Sequence, residues 1–286
     1  MTTALVTRPV LKACIAPCLS YRVRFVPTAE TSAFPILARL RDPQPALAVL
    51  ARYQELAEGS ALPAAFEDNE LCVIFARGGL HTSLGWRQGL EAWMGEELHD
   101  SSPVLEAPSF GERVLWRPGR AVVIGNAERY DELLDGLIAF AWYEYRLRLL
   151  EQAVAAAWLP AADHIRLTHQ VARRDLARQG QINGCVQSTT SWRMAFVRVE
   201  AHLETPPRHL AGPIQRLYNE LAVQANTHDR LAALDERIEV LQDLYELATD
   251  RLSEYRYFRR ELQVEWLIVA ILLIEAGMSL WELWKR

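Results

Sequence analysis

Apolar positions along this chain follow two patterns. As far as residue 127 they come in short runs separated by turn residues; beyond it they recur at the spacing of long helices. Tyr21 to Val26 alternates apolar and polar at period two and reads as a strand. Leu47, Leu50, Tyr53, Leu56 and Ala57 stand at helical spacing and predict a helix over 46–57. Leu71 to Ala76 is a compact apolar run, followed by Gly78-Gly79 and Leu80 to Leu84. A Gly pair between two short runs predicts a hairpin, because Gly takes positive φ without steric penalty. Arg87 to Leu98 reads as a helix. Arg113 to Trp116 and Ala121 to Ile124 flank Pro118-Gly119, the residue pair of a type II turn, and predict a second hairpin. A strong helix then runs from Arg129 to Leu159 and is expected to end at Pro160. The order strand, helix, hairpin, helix, hairpin, helix predicts a small α+β layer with helices on one face of the sheet, a ferredoxin-like arrangement being one solution.

Residues 161 to 204 read as helical and amphipathic, with a break near Gly180 and Gly184. Thr205-Pro206-Pro207 and Gly212-Pro213 close that stretch. Pro213 suits the first turn of a final helix, where its missing N–H costs nothing. From there Leu234, Ile238, Leu241, Tyr245, Ala248, Leu252, Tyr255, Arg259, Leu262 and Trp266 step by four and three, the a/d seam of a coiled coil. Two packings fit the seam: an antiparallel hairpin against the helix at 129–159, or self-association. A rod over 213–263 would be on the order of 75 Å long at ~1.5 Å per residue.

The rod runs into an apolar end. Trp266 to Ile274 carries no charge, Glu275 interrupts, and Ala276 to Trp284 continues with Ser279 and Glu282. About 20 residues cross the hydrocarbon core of a bilayer, and Val264 to Trp284 meets that length. Trp266, Trp281 and Trp284 stand where an interfacial aromatic belt would lie. Glu275 opposes insertion by roughly 2.5–3.5 kcal/mol, a cost relieved if its protonated carboxyl bonds a neighbouring helix. Ala270 and Gly277, seven apart, would let two such helices approach closely. The competing reading is an oligomerisation helix whose end is buried in partner subunits. Arg251, Arg256, Arg259 and Arg260 precede the stretch while Lys285 and Arg286 follow it, which favours the body on the cytoplasmic side.

The expected fold class is therefore α+β: a small N-terminal α+β domain with hairpins, then a helical region whose long C-terminal coiled-coil helix ends in a membrane helix. The boundaries are an irregular tail over 1–18, the α+β domain over 19–127, a helical region over 128–212, the coiled-coil-like helix over 213–263 and the membrane helix over 264–284.

With 286 residues, 50% of them hydrophobic and 23% charged, the chain has the make-up of a folded protein. A net charge of -5 gives no global case for nucleic-acid binding. Lys12 and Lys285 are the only lysines, an Arg bias typical of GC-rich, most often bacterial, genomes. Arg8, Pro9, Lys12 and Pro17 break up any apolar run near the start, so no secretory signal is expected. Cys14, Cys18, Cys72 and Cys185 do not make a disulfide framework in a chain this long and suit a reducing compartment.

Candidate chemistry is sparse. His164 and His169 are five apart and splay on a helix, unlike the i, i+4 pair of a zinc site. Cys14 and Cys18 have no second pair to complete a tetrahedral site. Arg77-Gly78-Gly79 lacks the Lys-Ser/Thr of a phosphate loop, and Ser188 to Ser191 has no general base near it in sequence. Arg166, Arg173, Arg174 and Arg178 form the best local basic patch, a candidate contact for RNA or anionic lipid, diluted by Asp163 and Asp175. No catalytic, cofactor-binding or metal-binding residues are assigned.

The run Val264-Glu265-Trp266-Leu267-Ile268-Val269, followed by Leu273-Ile274-Glu275, resembles the terminal Leu-Glu-Trp, apolar run, Glu signature of the DUF155 family, also called the required for meiotic nuclear division or Sad1-interacting factor family. Glu204-Thr205-Pro206 with Leu217-Tyr218 is similar to the family's Thr-Pro…Leu-Tyr segment. Leu234, Arg237, Ile238, Leu241 and Leu244 are similar to its Leu-rich helix, with Asp235-Glu236 where an Asn is commoner. The apolar runs at 71–84 resemble its Val/Phe-rich hairpin. The resemblance implies an α+β domain, a helical hairpin and a terminal membrane helix, and singles out Glu265, Trp266 and Glu275. It carries no established enzymatic activity. Members occur in bacteria, fungi and mitochondria, and the mitochondrial member supports organellar translation at the inner membrane.

The function expected is a non-enzymatic, membrane-anchored scaffold or tether that forms homo-oligomers, with Glu265, Trp266, Glu275, Gly277, Trp281 and Trp284 at the membrane or between helices. The alternative is an RNA- or ribosome-contacting factor at a membrane surface. The expected site is the bacterial inner membrane, with the mitochondrial inner membrane as the alternative, and no cofactor is expected.

Overall fold

In the computed structural model the described residues are 18–29, 34–57, 60–63, 67–77, 84–95, 103–109, 111–125 and 127–284; at 84, 109, 127, 279, 280, 282 and 283 the description covers the backbone alone. Seven strands form one sheet: β1 (Cys18–Pro27), β2 (Ile36–Leu40), β3 (Ala46–Leu56), β4 (Glu70–Arg77), β5 (Leu105–Ser109), β6 (Glu112–Arg117) and β7 (Arg120–Gly125). Their spatial order is β2-β3-β1-β4-β7-β6-β5. Every neighbouring pair is antiparallel except β4 and β7, which run parallel at the centre. The α+β class expected from the pattern holds.

β4 reads Glu-Leu-Cys-Val-Ile-Phe-Ala-Arg and is buried at every position before Arg77. Such a run suits a strand covered on both faces. On one face Cys72, Ile74, Ala76, Leu115 and Val122 meet Trp86, Leu90, Trp93 and Met94 of helix α1 (Leu84–Gly95). On the other, ring pairs tie the sheet to α2 (Tyr130–His164): Phe75 with Tyr130 at 4.4 Å, Trp116 with Phe140 at 4.9 Å and Phe25 with Trp142 at 5.3 Å. The sheet is thus covered on both faces rather than one.

Four local expectations need correction. Residues 46–57 form strand β3, not a helix: Ala46 to Leu50 is a continuous buried run between β2 and β1, and a bulge against Arg22/Val23 accommodates the rest. A short apolar run does not by itself separate strand from helix. Beside β4 no hairpin partner from 80–84 stands among the described residues. β4 is paired by β1 and β7, residues 78–83 lie outside the described residues, and Leu84 opens α1. α2 continues through Pro160 to His164, where Ala161 and His164 are buried and their packing outweighs one lost backbone bond. Finally, residues 165–178 are not one amphipathic helix. They form two 3-10 segments, Ile165–Thr168 and Arg173–Arg178, before α3 (Gln179–Glu204), whose first turns hold Gly180 and Gly184.

The β6–β7 hairpin is as expected, with Arg117 opposite Arg120 and Gly119 at φ +76°. Pro213 lies in the first turn of α4 (Gly212–Gln224). The long helix does not begin there. The chain turns through Asn226 at φ 52° into α5 (Thr227–Trp284), and the Thr227 hydroxyl donates to the Ala222 carbonyl at 3.0 Å. Asn tolerates the left-handed region better than other side chains. Residues 227–263 therefore make a rod of about 55 Å.

The chain divides into two compact units, Met1–Gln152 with Met194–Leu234, and Ala153–Arg193 with Asp235–Arg286. The first holds the sheet. In it α4 packs so closely on α2 that a Cβ at Gly136 would stand 2.4 Å from Ile214 Cγ2, and Tyr218 meets Phe140 at 5.4 Å. In the second, the α5 seam positions Ile238, Leu241, Tyr245, Ala248 and Leu252 are at most 2% exposed. Tyr245 lies edge-on to His164 at 5.8 Å, and Arg193 pairs with Asp235. The seam up to Leu252 is thus filled by the chain's own residues.

Candidate membrane-anchoring site

Beyond Tyr255 the character of α5 changes. Every residue from Arg260 to Met278 is exposed. Of the 25 exposed large apolar side chains among the described residues, 15 lie between Tyr257 and Trp284. They point in every direction around the helix: Trp266 is 72% exposed, Leu273 68% and Trp284 85%. From 264 to 278 only Glu265 and Glu275 interrupt the apolar surface, and a helix apolar on all sides is one made to be buried. Leaving this many such side chains in water forgoes on the order of 10 kcal/mol, comparable with the stability of a whole domain.

All six residues singled out for a membrane or interhelical role lie on this stretch. Glu265, Trp266 and Glu275 are exposed, and Trp281 and Trp284 bring their rings to 6.3 Å of each other. A Cβ at Gly277 would meet nothing within 4 Å, so that side of the helix is open to a close neighbour. Among the described residues no helix is long and apolar enough to cross a membrane. The stretch from Val264 to Trp284 includes positions 279, 280, 282 and 283, whose side chains lie outside that description.

The four arginines of the basic patch are not equivalent. Arg166 donates to Asp175 Oδ1 at 2.7 Å and to the Gln170 carbonyl at 3.2 Å. Asp175 also accepts from the Ala172 backbone N–H at 2.8 Å. The Arg166 hydrogen bond, opposed by burial and helped by that N–H, holds the Asp175 carboxyl below its ordinary range. This clamp shapes the 3-10 turn. Arg173, Arg174 and Arg178 stay exposed on it.

The other polar candidates serve the fold. Ser188, Thr189 and Thr190 donate back to Gly184 and Val186 carbonyls of their own helix. His164 Nδ1 stands 3.4 Å from the Tyr245 hydroxyl, burial lowers its pKa, and His169 is exposed away from it. No three His, Cys, Asp or Glu side chains cluster as metal ligands among the described residues. Cys18 Sγ accepts from Trp86 Nε1 at 2.6 Å; burial pushes the Cys72 thiol up to about 11. Cys14 lies outside the described residues.

One feature of the first unit has no signature in the sequence. A cleft of about 720 Å³ is lined by Trp116, Glu144, Tyr145, Arg148, Glu151 and Arg230 among others. Arg230 donates to both oxygens of Glu151, at 2.9 and 2.7 Å, and to Glu144 at 3.2 Å. Arg148 reaches the other Glu144 oxygen at 2.8 Å. Burial nevertheless pushes the Glu144 carboxyl above its ordinary pKa, against the pull of both guanidinium groups. Glu144 and Arg148 are four apart on α2, which is legible; Arg230 is 86 residues from Glu144, which is not.

No protein-family model matches the chain, and no curated protein matches it in sequence. Among solved structures it is similar to the CorA magnesium transporter from Methanocaldococcus jannaschii, at 9% identity and a TM-score of 0.35 over 87% of this chain and 81% of that one. A likeness this slight carries neither fold nor function to this chain.

Proposed function

We propose that the protein is a non-enzymatic membrane-anchored scaffold: the apolar end of α5 enters a bilayer and holds the sheet-bearing unit at its surface, where it engages a protein partner. One observation supports this above the rest, the concentration of exposed apolar side chains on all sides of α5 from Tyr257 to Trp284. The interfacial positions of Trp266, Trp281 and Trp284 fit it, and the resemblance to the DUF155 family at Glu265, Trp266 and Glu275 points the same way. The excess of Arg before the stretch favours the body on the cytoplasmic side, and a bacterial inner membrane is the membrane this reading takes. Because the seam is filled up to Leu252, self-association would use the stretch beyond it. The test is membrane fractionation of the full chain and of a chain stopped at Gln263, each with an alkaline carbonate wash. Retention of the full chain alone supports the anchor; loss of both forms from the membrane refutes it.

A second reading, an RNA- or ribosome-contacting factor, is favoured by the exposure of Arg173, Arg174 and Arg178. It requires salt-sensitive co-sedimentation with ribosomes that replacement of Arg173 and Arg174 abolishes.

A further inference from the structure

The charges next to the apolar end of α5 are sorted by face. At ~100° per residue, Arg256, Arg259 and Arg260 fall within an arc of about 100°, while Glu254, Glu261 and Glu265 fall within about 40° on the opposite side. Arg251, one turn earlier, is taken by Glu254 at 2.9 Å. Arg256 Nη1 lies 3.5 Å from Gln179 Oε1. That contact brings the end of the 3-10 segment, with exposed Arg178 next in sequence to Gln179, to the same level of the same unit. Arg178, Arg259 and Arg260 make no ion pair with any described residue. The result is a one-sided collar of guanidinium groups drawn from two elements.

The height of the collar matters. Val264 opens the apolar stretch about 6 Å beyond Arg260 and about 12 Å beyond Arg256 along the axis. With Val264 at the edge of the hydrocarbon, Arg259 and Arg260 lie within the headgroup layer, about 5–8 Å deep, while Arg256, beside Gln179, stands about one turn further out. Guanidinium groups bind phosphate in a planar, two-pronged geometry that ammonium groups cannot match.

We propose that this collar binds the phosphate-bearing headgroups of anionic phospholipids, so that the anchor selects acidic membrane and turns the Arg side of α5 towards those lipids. The proposal rests on the anchor reading above. Continuity with the apolar end favours lipid over RNA as the source of phosphate.

The test uses the full chain in neutral detergent micelles, titrated with phosphatidylglycerol or phosphatidylcholine, with bound lipid counted by native mass spectrometry. Phosphatidylglycerol should bind on the order of 10- to 100-fold more tightly, and salt should erode the difference. The R178Q/R259Q/R260Q variant should lose the preference, and E261Q/E265Q should keep it. Equal binding of the two lipids, or a preference that survives in the triple-arginine variant, overturns the proposal. So does tighter binding of a short single-stranded RNA that the triple-arginine variant loses. A carbonate wash of the same proteins separates the two ideas. Retention without lipid preference sinks the collar alone, whereas release of the unmodified full chain sinks the anchor and the collar with it.

Discussion

The Arg120 guanidinium lies over the indole of Trp93, 4.7 Å from the ring centroid, and donates to the Trp93 carbonyl. Arg117 donates to the next carbonyl, that of Met94, at 3.2 Å. Two arginines from the β6–β7 hairpin thus satisfy carbonyls at the C-terminal end of α1, where helix acceptors lack intrahelical partners. Arg120 is only 1% exposed, so its charge is held by these dipoles and by the face of the ring. R120A would strand the Trp93 carbonyl and open a cavity. The expected cost is about 3 kcal/mol, read as a fall in the unfolding midpoint of the full-length protein in detergent. R120K should recover only part of it, because an ammonium cannot stack on the indole as guanidinium does. A midpoint unchanged in R120A would show that α1 does not depend on this contact.

The contact between α2 and α4 depends on the absence of a side chain at Gly136. A Cβ there would meet Ile214 Cγ2 at 2.4 Å, and Ile214 is itself buried. G136A should therefore destabilise by about 1–3 kcal/mol through overpacking. I214A should cost about 2–4 kcal/mol through the cavity it leaves. The two changes compensate in space, so the double variant should lose clearly less than the sum. Strict additivity in a denaturant series would mean that the helices separate to admit the methyl group.

These contacts mark the division between what local sequence shows and what it hides. Pro118-Gly119 announces its hairpin because turn chemistry is local. The spacing within α2 and along the α5 seam is legible for the same reason. β3 is not, because Leu47 and Leu50 satisfy a helical template while their true partners, Val26 and Val23, lie on β1. β5 hides behind Pro108, which is tolerated because β5 is an edge strand. The break between α4 and α5 carries neither Gly nor Pro and rests on Asn226 at positive φ and on the Thr227 hydroxyl bond to the Ala222 carbonyl. At the candidate site, the apolar end is legible as composition. The arginine collar is not, since it needs Arg178 to be brought to Arg256 by a contact of Gln179 with Arg256 that spans 77 residues.

Asp175 makes the second unit sensitive to acid. Its folded pKa lies below the ordinary value of 3.8, held there by Arg166. The native state therefore binds fewer protons than the unfolded chain between the two values. The stability this group contributes is present above pH ~4 and is lost as pH falls through the depressed folded pKa. D175N removes the charge and should cost about 1 kcal/mol near neutrality, the worth of a charge-assisted hydrogen bond discounted for the 40% exposure of the Arg166 side chain. The gap between parent and variant should close as pH falls below 4. A gap that stays constant down to pH 2 would mean that the Asp175 charge is not what stabilises the turn.

Glu275 offers the sharpest test of what the end of α5 does. In a bilayer, an ionised carboxylate ten residues past Glu265 opposes insertion by roughly 2.5–3.5 kcal/mol, while the neighbouring Leu272, Leu273 and Ile274 each favour it by a few tenths. E275L should therefore make the protein harder to extract with alkaline carbonate. If the carboxyl also bonds a second helix near Gly277, where the backbone is open to close approach, the same substitution should weaken cross-linked oligomers in detergent. Stronger retention with fewer oligomers separates the two roles of one residue. Unchanged oligomers would confine Glu275 to setting the depth of the anchor, and weaker retention would contradict the placement of this stretch in lipid.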